Sequence, residues 1–216
     1  MLEALPRWVQ PVVVSYPRDI RLGYEDLMPR VLAALPKDLS FLLLGESFSG
    51  PLALRAAALA PPGLQGVVLS ATSARNPLGL HLPWLHKCVP TWPFRGLLPL
   101  SITRSWLGKH TTPMRRELVQ KALTGVLPDV LAHRVKAVLQ VDASDALQRC
   151  PVPILYLQGV HDWVVPAHNA HDIQAFKAGV EIVRIETGHL VLQSQPERAW
   201  AAIQGFLDRI LSPEVP

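Results

Sequence analysis

Residues 42–50 read LLLGESFSG, an apolar run that ends in a serine, Ser47, with a very small residue at each second neighbour. A serine at the tip of a sharp strand-to-helix turn needs such neighbours, because larger side chains would collide across the turn. Gly45 meets this need, and Ser49 departs from glycine by a single hydroxymethyl group before Gly50 follows. The pattern predicts a nucleophile elbow, in which Ser47 lies between a strand and a helix.

The segments around this elbow predict an α/β fold. Short apolar runs predict about five buried strands of a mostly parallel sheet, at 12–14, 41–44, 67–69, 154–157 and 180–185. Amphipathic or alanine-rich segments predict helices between and after them, at 24–35, 51–60, 167–176 and 196–211. This alternation is typical of a sheet with helices on both faces.

Residues 73–147 interrupt the alternation with many prolines and glycines, followed by helical stretches at 115–123 and 129–140. We interpret this segment as a helical cap insertion, with residues 1–72 and 148–216 forming the α/β core. Residues 73–149 hold eleven Lys or Arg against four Asp or Glu.

Aromatic residues accompany this basic segment, namely Trp84, Trp92, Phe94 and Trp106. Nucleic-acid binding also uses positive charge interleaved with aromatic rings. Large apolar rings more often pack inward beneath a charged helical surface, however. We therefore expect no nucleic-acid partner.

The overall composition predicts a soluble, cytoplasmic protein. With 216 residues and 49% hydrophobic composition, the chain can bury a substantial core. No apolar stretch approaches the length of a membrane span, and residues 1–7 lack the pattern of a secretory leader. Cys88 and Cys150 lie far apart without neighbouring ligand pairs, so we expect neither a disulfide framework nor a zinc site. We also expect no cofactor.

A serine hydroxyl needs a base to take its proton and an acid to orient that base. Asp162 follows the predicted strand 154–157, and His189 follows the predicted strand 180–185. Because the carboxyl ends of parallel strands share one edge of a sheet, we expect both side chains to lie near Ser47.

Each of these three residues also has an ordinary structural explanation. Ser47 could cap a helix, Asp162 could stabilise a turn, and His189 could be a surface histidine. Their joint arrangement favours catalysis, because each follows a strand and the order is Ser, Asp, His.

A metal site is a second interpretation, since His161, Asp162, His168 and His171 are close in sequence. His168 and His171 would share a helix face. Asp162 cannot easily serve both a metal ion and His189, so we expect no metal.

The chain resembles the α/β-hydrolase superfamily, most closely its lipase- and esterase-like members. Residues 45–50 resemble the elbow, 159–166 the acid loop, and 188–189 with 193–197 the histidine loop. The similarity spans residues 11–211 and is weakest in the insertion, which resembles the family's cap.

This resemblance implies a serine hydrolase acting on small-molecule carboxylic esters through an acyl-enzyme. Ser47 would be the nucleophile, His189 the general base and Asp162 its orienting acid, while the amide of Phe48 would donate to the oxyanion. Tryptophans of the cap would line an acyl pocket.

One departure from the family lies ahead of residue 12. Members usually carry further strands there and a His-Gly or Pro-Gly turn that supplies a second oxyanion donor. This sequence has neither feature, so it resembles an N-terminally shortened form of the family. The resemblance therefore implies impaired catalysis, with a weak or inactive hydrolase-fold interaction module as the alternative. A vacancy in the sheet would also favour a homodimer.

Overall fold

The computed structural model describes residues 2–79 and 112–212. Within them one sheet contains four strands, β1 (Phe41–Glu46), β2 (Leu64–Ser70), β3 (Ile154–Gly159) and β4 (Glu181–Ile185). They lie in the order β1-β2-β3-β4, and every neighbouring pair is parallel. The predicted α/β class and the parallel sheet are confirmed.

Helices connect and follow these strands. In chain order they are α1 (Tyr24–Ala33), α2 (Gly50–Ala57), α3 (Pro113–Thr124), α4 (Pro128–Gln140), α5 (Ser144–Arg149), α6 (His168–Phe176), α7 (Val191–Ser194) and α8 (Pro196–Leu211), with 3₁₀ turns at Leu2–Ala4 and Ser47–Ser49. The longest, α8, begins at a proline, which the first helical turn tolerates. Its buried residues Ala199, Ile203 and Phe206 recur at helical spacing and form one apolar stripe.

The predicted first strand at 12–14 is not formed. Val12 and Val13 are 62% and 65% exposed, and this segment pairs with no strand in the described part of the chain. A run of β-branched residues favours an extended strand, but a strand also needs a neighbouring strand to form hydrogen bonds with its backbone groups. The sheet of the described residues therefore has four strands instead of the expected five.

Helices cover both faces of the sheet. On one face Val67, Leu69 and Tyr156 pack against α2, α5 and α6. On the other face Val68 and Leu157 pack against α7 and α8. This alternation along β2 and β3 buries the sheet on both sides and leaves its carboxyl edge for polar residues.

The middle of the chain enters and leaves the core at one place. Arg75 and Asp142 form an antiparallel bridge, and the Ala143 amide donates to the Ala74 carbonyl at 2.8 Å. Helix α5 then packs in the same core as β2 and β3. The division into a core of 1–72 plus 148–216 and a cap of 73–147 stays a prediction.

Several residues singled out in the sequence lie outside the described ranges, namely Trp84, Cys88, Trp92, Phe94 and Trp106. Cys150, which is described, is buried with a free thiol. None of the helices in the described ranges is both long and apolar enough to cross a membrane.

Candidate active site

Ser47 follows the last residue of β1 in a strained backbone conformation. Its φ is 50°, in the left-handed region that residues other than glycine rarely adopt. A single 3₁₀ turn leads from it into α2. Strain of this kind persists only where the surroundings fix it, and here it accompanies a sharp strand-to-helix turn at the carboxyl edge of the sheet.

The crowding around the elbow explains its small residues. A Cβ atom on Gly45 would lie 2.8 Å from the Ala53 Cβ, and one on Gly50 would overlap the Thr72 side chain. The position that must be glycine on the helix side is therefore Gly50. Ser49 fits, and its Oγ accepts a hydrogen bond from the Tyr16 hydroxyl at 3.1 Å.

A buried network fixes the elbow to the neighbouring strands. The Thr72 hydroxyl donates to the Ser47 carbonyl at 2.6 Å. The Tyr156 hydroxyl of β3 donates to the Thr72 carbonyl at 2.6 Å and accepts from the Thr72 amide at 3.2 Å. Burial raises the pKa of Tyr156, so its hydroxyl keeps the proton that it donates.

The structure brings Ser47, His189 and Asp162 into one chain of hydrogen bonds. Ser47 Oγ lies 2.9 Å from His189 Nε2, and His189 Nδ1 lies 2.9 Å from Asp162 Oδ2. The His189 and Asp162 side chains are only 5% and 1% exposed. Three loops, after β1, β3 and β4, thus converge at one edge of the sheet.

Asp162 is itself held by its own loop. Its Oδ1 accepts hydrogen bonds from the backbone amides of Val164 and Val165, each at 2.9 Å. Its Oδ2 is therefore left to accept the Nδ1 proton of His189. An imidazole held in this tautomer presents the Nε2 lone pair to Ser47, so it can take the hydroxyl proton.

The acid and histidine loops run side by side. The amides of Val160 and His161 donate to the carbonyls of Ile185 and Thr187, both at 2.9 Å. A Cβ atom on Gly159 would overlap the Gly188 carbonyl oxygen. Glycine at the end of β3 therefore allows the close approach that aligns Asp162 with His189.

Phe48, whose amide is the expected oxyanion donor, is anchored by its ring. The ring stacks on Tyr24 with centroids 4.6 Å apart and meets Tyr16 edge-on at 5.9 Å. The guanidinium of Arg134 lies 5.5 Å from the centre of the Phe48 ring. These contacts restrict the residue that follows Ser47.

Two of the four residues considered for a metal site, His161 and Asp162, have other partners. His161 pairs with Glu186 at 3.1 Å, and both oxygens of Asp162 accept protein hydrogens. Across residues 2–79 and 112–212, no group of three or more His, Cys, Asp or Glu side chains is arranged to hold a metal ion.

Sequence reasoning missed Thr72, and it placed Glu46 in the elbow and Gln193 in the histidine loop without giving either a role. Thr72 could have been found, because it follows β2 at the same edge as the other three loops. Glu46 and Gln193 carry no such signal, since their contact joins residues 147 positions apart.

Comparison with known proteins identifies a family. The model of the alpha/beta hydrolase family matches residues 5–203. The biotin biosynthesis bifunctional protein BioHC of Cellvibrio japonicus (strain Ueda107) is 27% identical over 196 residues, which is 85% of this chain and 39% of that protein. This chain thus spans about two fifths of that relative's length.

Solved structures share the fold at low identity. A bromoperoxidase from Bacillus anthracis superposes with a TM-score of 0.73 at 16% identity, covering 90% of this chain and 77% of its own. The esterase EaEST from Exiguobacterium antarcticum gives a TM-score of 0.69 at 18% identity, covering 91% and 76% respectively.

Proposed function

Because the chain belongs to the alpha/beta hydrolase family, we propose that it is a serine hydrolase that cleaves carboxylic esters through an acyl-enzyme. Ser47 is the nucleophile, His189 the general base, and Asp162 the acid that orients the base. The observation that carries this proposal is the unbroken hydrogen-bonded chain from Ser47 Oγ through His189 to Asp162. The positive φ of Ser47 adds support, because such strain is typical of an elbow nucleophile.

In the acylation half, His189 Nε2 takes the Ser47 proton as Oγ bonds to the ester carbonyl carbon. The carbonyl electron pair moves to oxygen, and the Phe48 amide donates a hydrogen bond to that oxyanion. The bond to the alcohol oxygen then breaks, and the alcohol leaves with the proton held on His189. Ser47 keeps the acyl group.

In the deacylation half, water gives a proton to His189 and attacks the acyl carbon. The second tetrahedral intermediate collapses, Ser47 Oγ regains its proton from His189, and the carboxylic acid leaves. Asp162 remains ionised throughout, keeps the Nδ1 proton oriented and stabilises the imidazolium.

Segment 73–147 acts as the cap over this site in the proposal. This assignment is supported by the contact of α3, which lies in the segment, with α7, the short helix that begins two residues after His189. The substrate is then a small-molecule ester held between the cap and the sheet edge. We also propose that the protein is cytoplasmic and forms a homodimer.

The test is hydrolysis of p-nitrophenyl esters from acetate to palmitate, together with labelling by a fluorophosphonate probe. Ser47→Ala should lower kcat by a factor on the order of 10⁴ to 10⁶ and abolish labelling, because only the attacking oxygen is deleted. Ser212→Ala, at an exposed serine beyond α8, is the matched control and should keep both.

Two results would contradict the proposal. If Ser47→Ala kept most of the activity, another residue would be the nucleophile. If the folded wild type neither hydrolysed any ester nor reacted with the probe, the chain would instead be the inactive interaction module of the alternative interpretation.

A further inference from the structure

Glu46, the last residue of β1, joins the elbow to the histidine loop. Its Oε2 accepts a hydrogen bond from Gln193 Nε2 at 2.6 Å, and its Oε1 accepts one from the Leu192 amide at 3.4 Å. Glu46 directly precedes Ser47, and α7, which contains Leu192 and Gln193, begins two residues after His189. The same two segments are therefore connected twice, once through Ser47 with His189 and once through Glu46 with α7.

The Glu46 carboxylate provides a hydrogen-bond acceptor at the start of α7. Helix α7 is a single turn, and the first amides of a helix lack acceptors within the helix. The Glu46 carboxylate supplies an acceptor to one of them, at the helix end that favours negative charge. Val191 and Leu192 are buried beside this contact, so α7 cannot shift without disturbing the core.

Two carboxylates hold the histidine loop from different elements. Asp162 contacts His189 Nδ1 from the loop after β3, whereas Glu46 contacts the Leu192 amide and Gln193 from the end of β1. Burial raises the pKa of Glu46, while the Gln193 hydrogen bond and the charge of His189 act in the opposite direction.

We propose that Glu46 is a positioning residue for the reaction: it holds α7 against the elbow and thereby fixes His189 relative to Ser47. This inference rests on the proposed esterase function. Removal of Glu46 should then slow the chemical step and leave substrate binding unchanged.

The test compares Glu46→Gln, Gln193→Glu and the double variant that exchanges the two side chains. Glu181→Gln, at an exposed carboxylate paired with Arg209, is the control that removes equal charge elsewhere. Glu46→Gln should lower kcat by about tenfold to a hundredfold with KM nearly unchanged, because one carboxylate oxygen becomes an NH₂ group that cannot accept a hydrogen bond and the other acceptor loses its charge. Gln193→Glu should lower kcat at least as much, since two carboxylates would face each other. The double variant that exchanges the two side chains should recover much of that loss.

The split between kcat and KM, together with the recovery in the exchanged double variant, separates this role from mere structural support. A general loss of packing would not be restored by exchanging the two side chains, and Glu181→Gln should keep both kcat and KM. Should Glu46→Gln fail to fold, Gln193→Ala keeps the carboxylate, removes its side-chain donor and should slow kcat severalfold.

The outcomes are distinguishable. A wild type without hydrolysis or probe labelling overturns the proposed function, and this inference falls with it. An active wild type whose Glu46→Gln and Gln193→Ala variants keep full kcat, or whose exchanged double variant recovers none of the loss, overturns the role of Glu46 alone.

Discussion

Asp162 illustrates how one carboxylate can fix a tautomer. Two backbone amides bind its Oδ1, so only Oδ2 faces His189. In Asp162→Asn the amides would retain the side-chain oxygen, and the new NH₂ group would face His189 Nδ1. The imidazole would then carry its proton on Nε2 and could not accept the proton of Ser47.

We therefore expect Asp162→Asn to lower kcat by about 10⁴. His189→Ala should cost about as much as Ser47→Ala, because it removes the base itself. Steady-state kinetics on one p-nitrophenyl ester gives the ranking. An unchanged rate in Asp162→Asn would mean that another carboxylate orients His189.

Glu46 also makes a prediction about stability. Burial raises the pKa of Glu46 in the folded state above its ordinary value, so the unfolded chain releases this proton more readily. The folded state is therefore favoured at low pH and loses stability as pH rises from the unfolded pKa through the folded pKa. Glu46→Gln lacks this carboxyl and escapes the loss, so its free energy of unfolding should increase relative to that of wild type over the same rise in pH.

Denaturant unfolding between about pH 2 and pH 8 measures this difference. Asp142→Asn is a control of opposite sign, because the hydrogen bond from the Ser144 hydroxyl lowers the pKa of Asp142. That variant should lose stability relative to wild type above the unfolded pKa and match it in acid. If Glu46→Gln showed no pH-dependent gain in stability relative to wild type, this would contradict a pKa of Glu46 raised by burial.

At the scale of the elements, the elbow depends on the contact between α2 and the end of β2. A methyl group on Gly50 would overlap Thr72, whose hydroxyl donates to the Ser47 carbonyl. Gly50→Ala should therefore destabilise the fold by about 1–3 kcal/mol and lower kcat, since the strained turn loses its support.

Gly205→Ala is the matched control within α8. Its Cβ would meet only the flexible end of Arg209 at 3.4 Å, and alanine is favoured over glycine inside a helix by up to about 1 kcal/mol. We expect this variant to unfold at a slightly higher denaturant concentration and to keep its activity. Equal stability of the two variants would contradict the crowding at Gly50.

The elements also show what the sequence could and could not reveal. Local patterns were sufficient for β3 and α8, whose apolar spacing matches a buried strand and an amphipathic helix. Residues 12–14 have the same local pattern as a strand, yet pairing depends on a neighbour that no local pattern encodes. The contacts of Glu46 with Gln193 and of Thr72 with Ser47 are equally non-local, so they became visible only in three dimensions.

At the scale of the molecule, the two edges of the described sheet differ. The edge strand β4 carries Glu181 and Arg184, and charges on an edge strand discourage pairing with another chain. The other edge strand, β1, is apolar from Phe41 to Leu44, and within residues 2–79 and 112–212 its only partner strand is β2. Leu44 is 38% exposed on that strand.

An apolar edge with unpaired backbone groups is a template for a further strand. We therefore expect two copies to pair through β1 about a two-fold axis, in which the same patch of each copy meets the other. Sedimentation equilibrium should then give the mass of a dimer. Leu44→Lys should shift it toward the monomer, because the two-fold axis places two new lysines, one from each copy, at the interface.

Leu59→Lys is the matched control, because Leu59 is 60% exposed and lies just beyond α2 instead of on the sheet. It should leave the dimer intact. A wild type that stays monomeric as its concentration rises, or a dimer that Leu44→Lys does not weaken, would show that β1 is not the interface. Because β1 ends at Glu46, directly before Ser47, a dimer through this edge should also restrain the elbow. We therefore expect ester hydrolysis per chain to rise as the dimer forms.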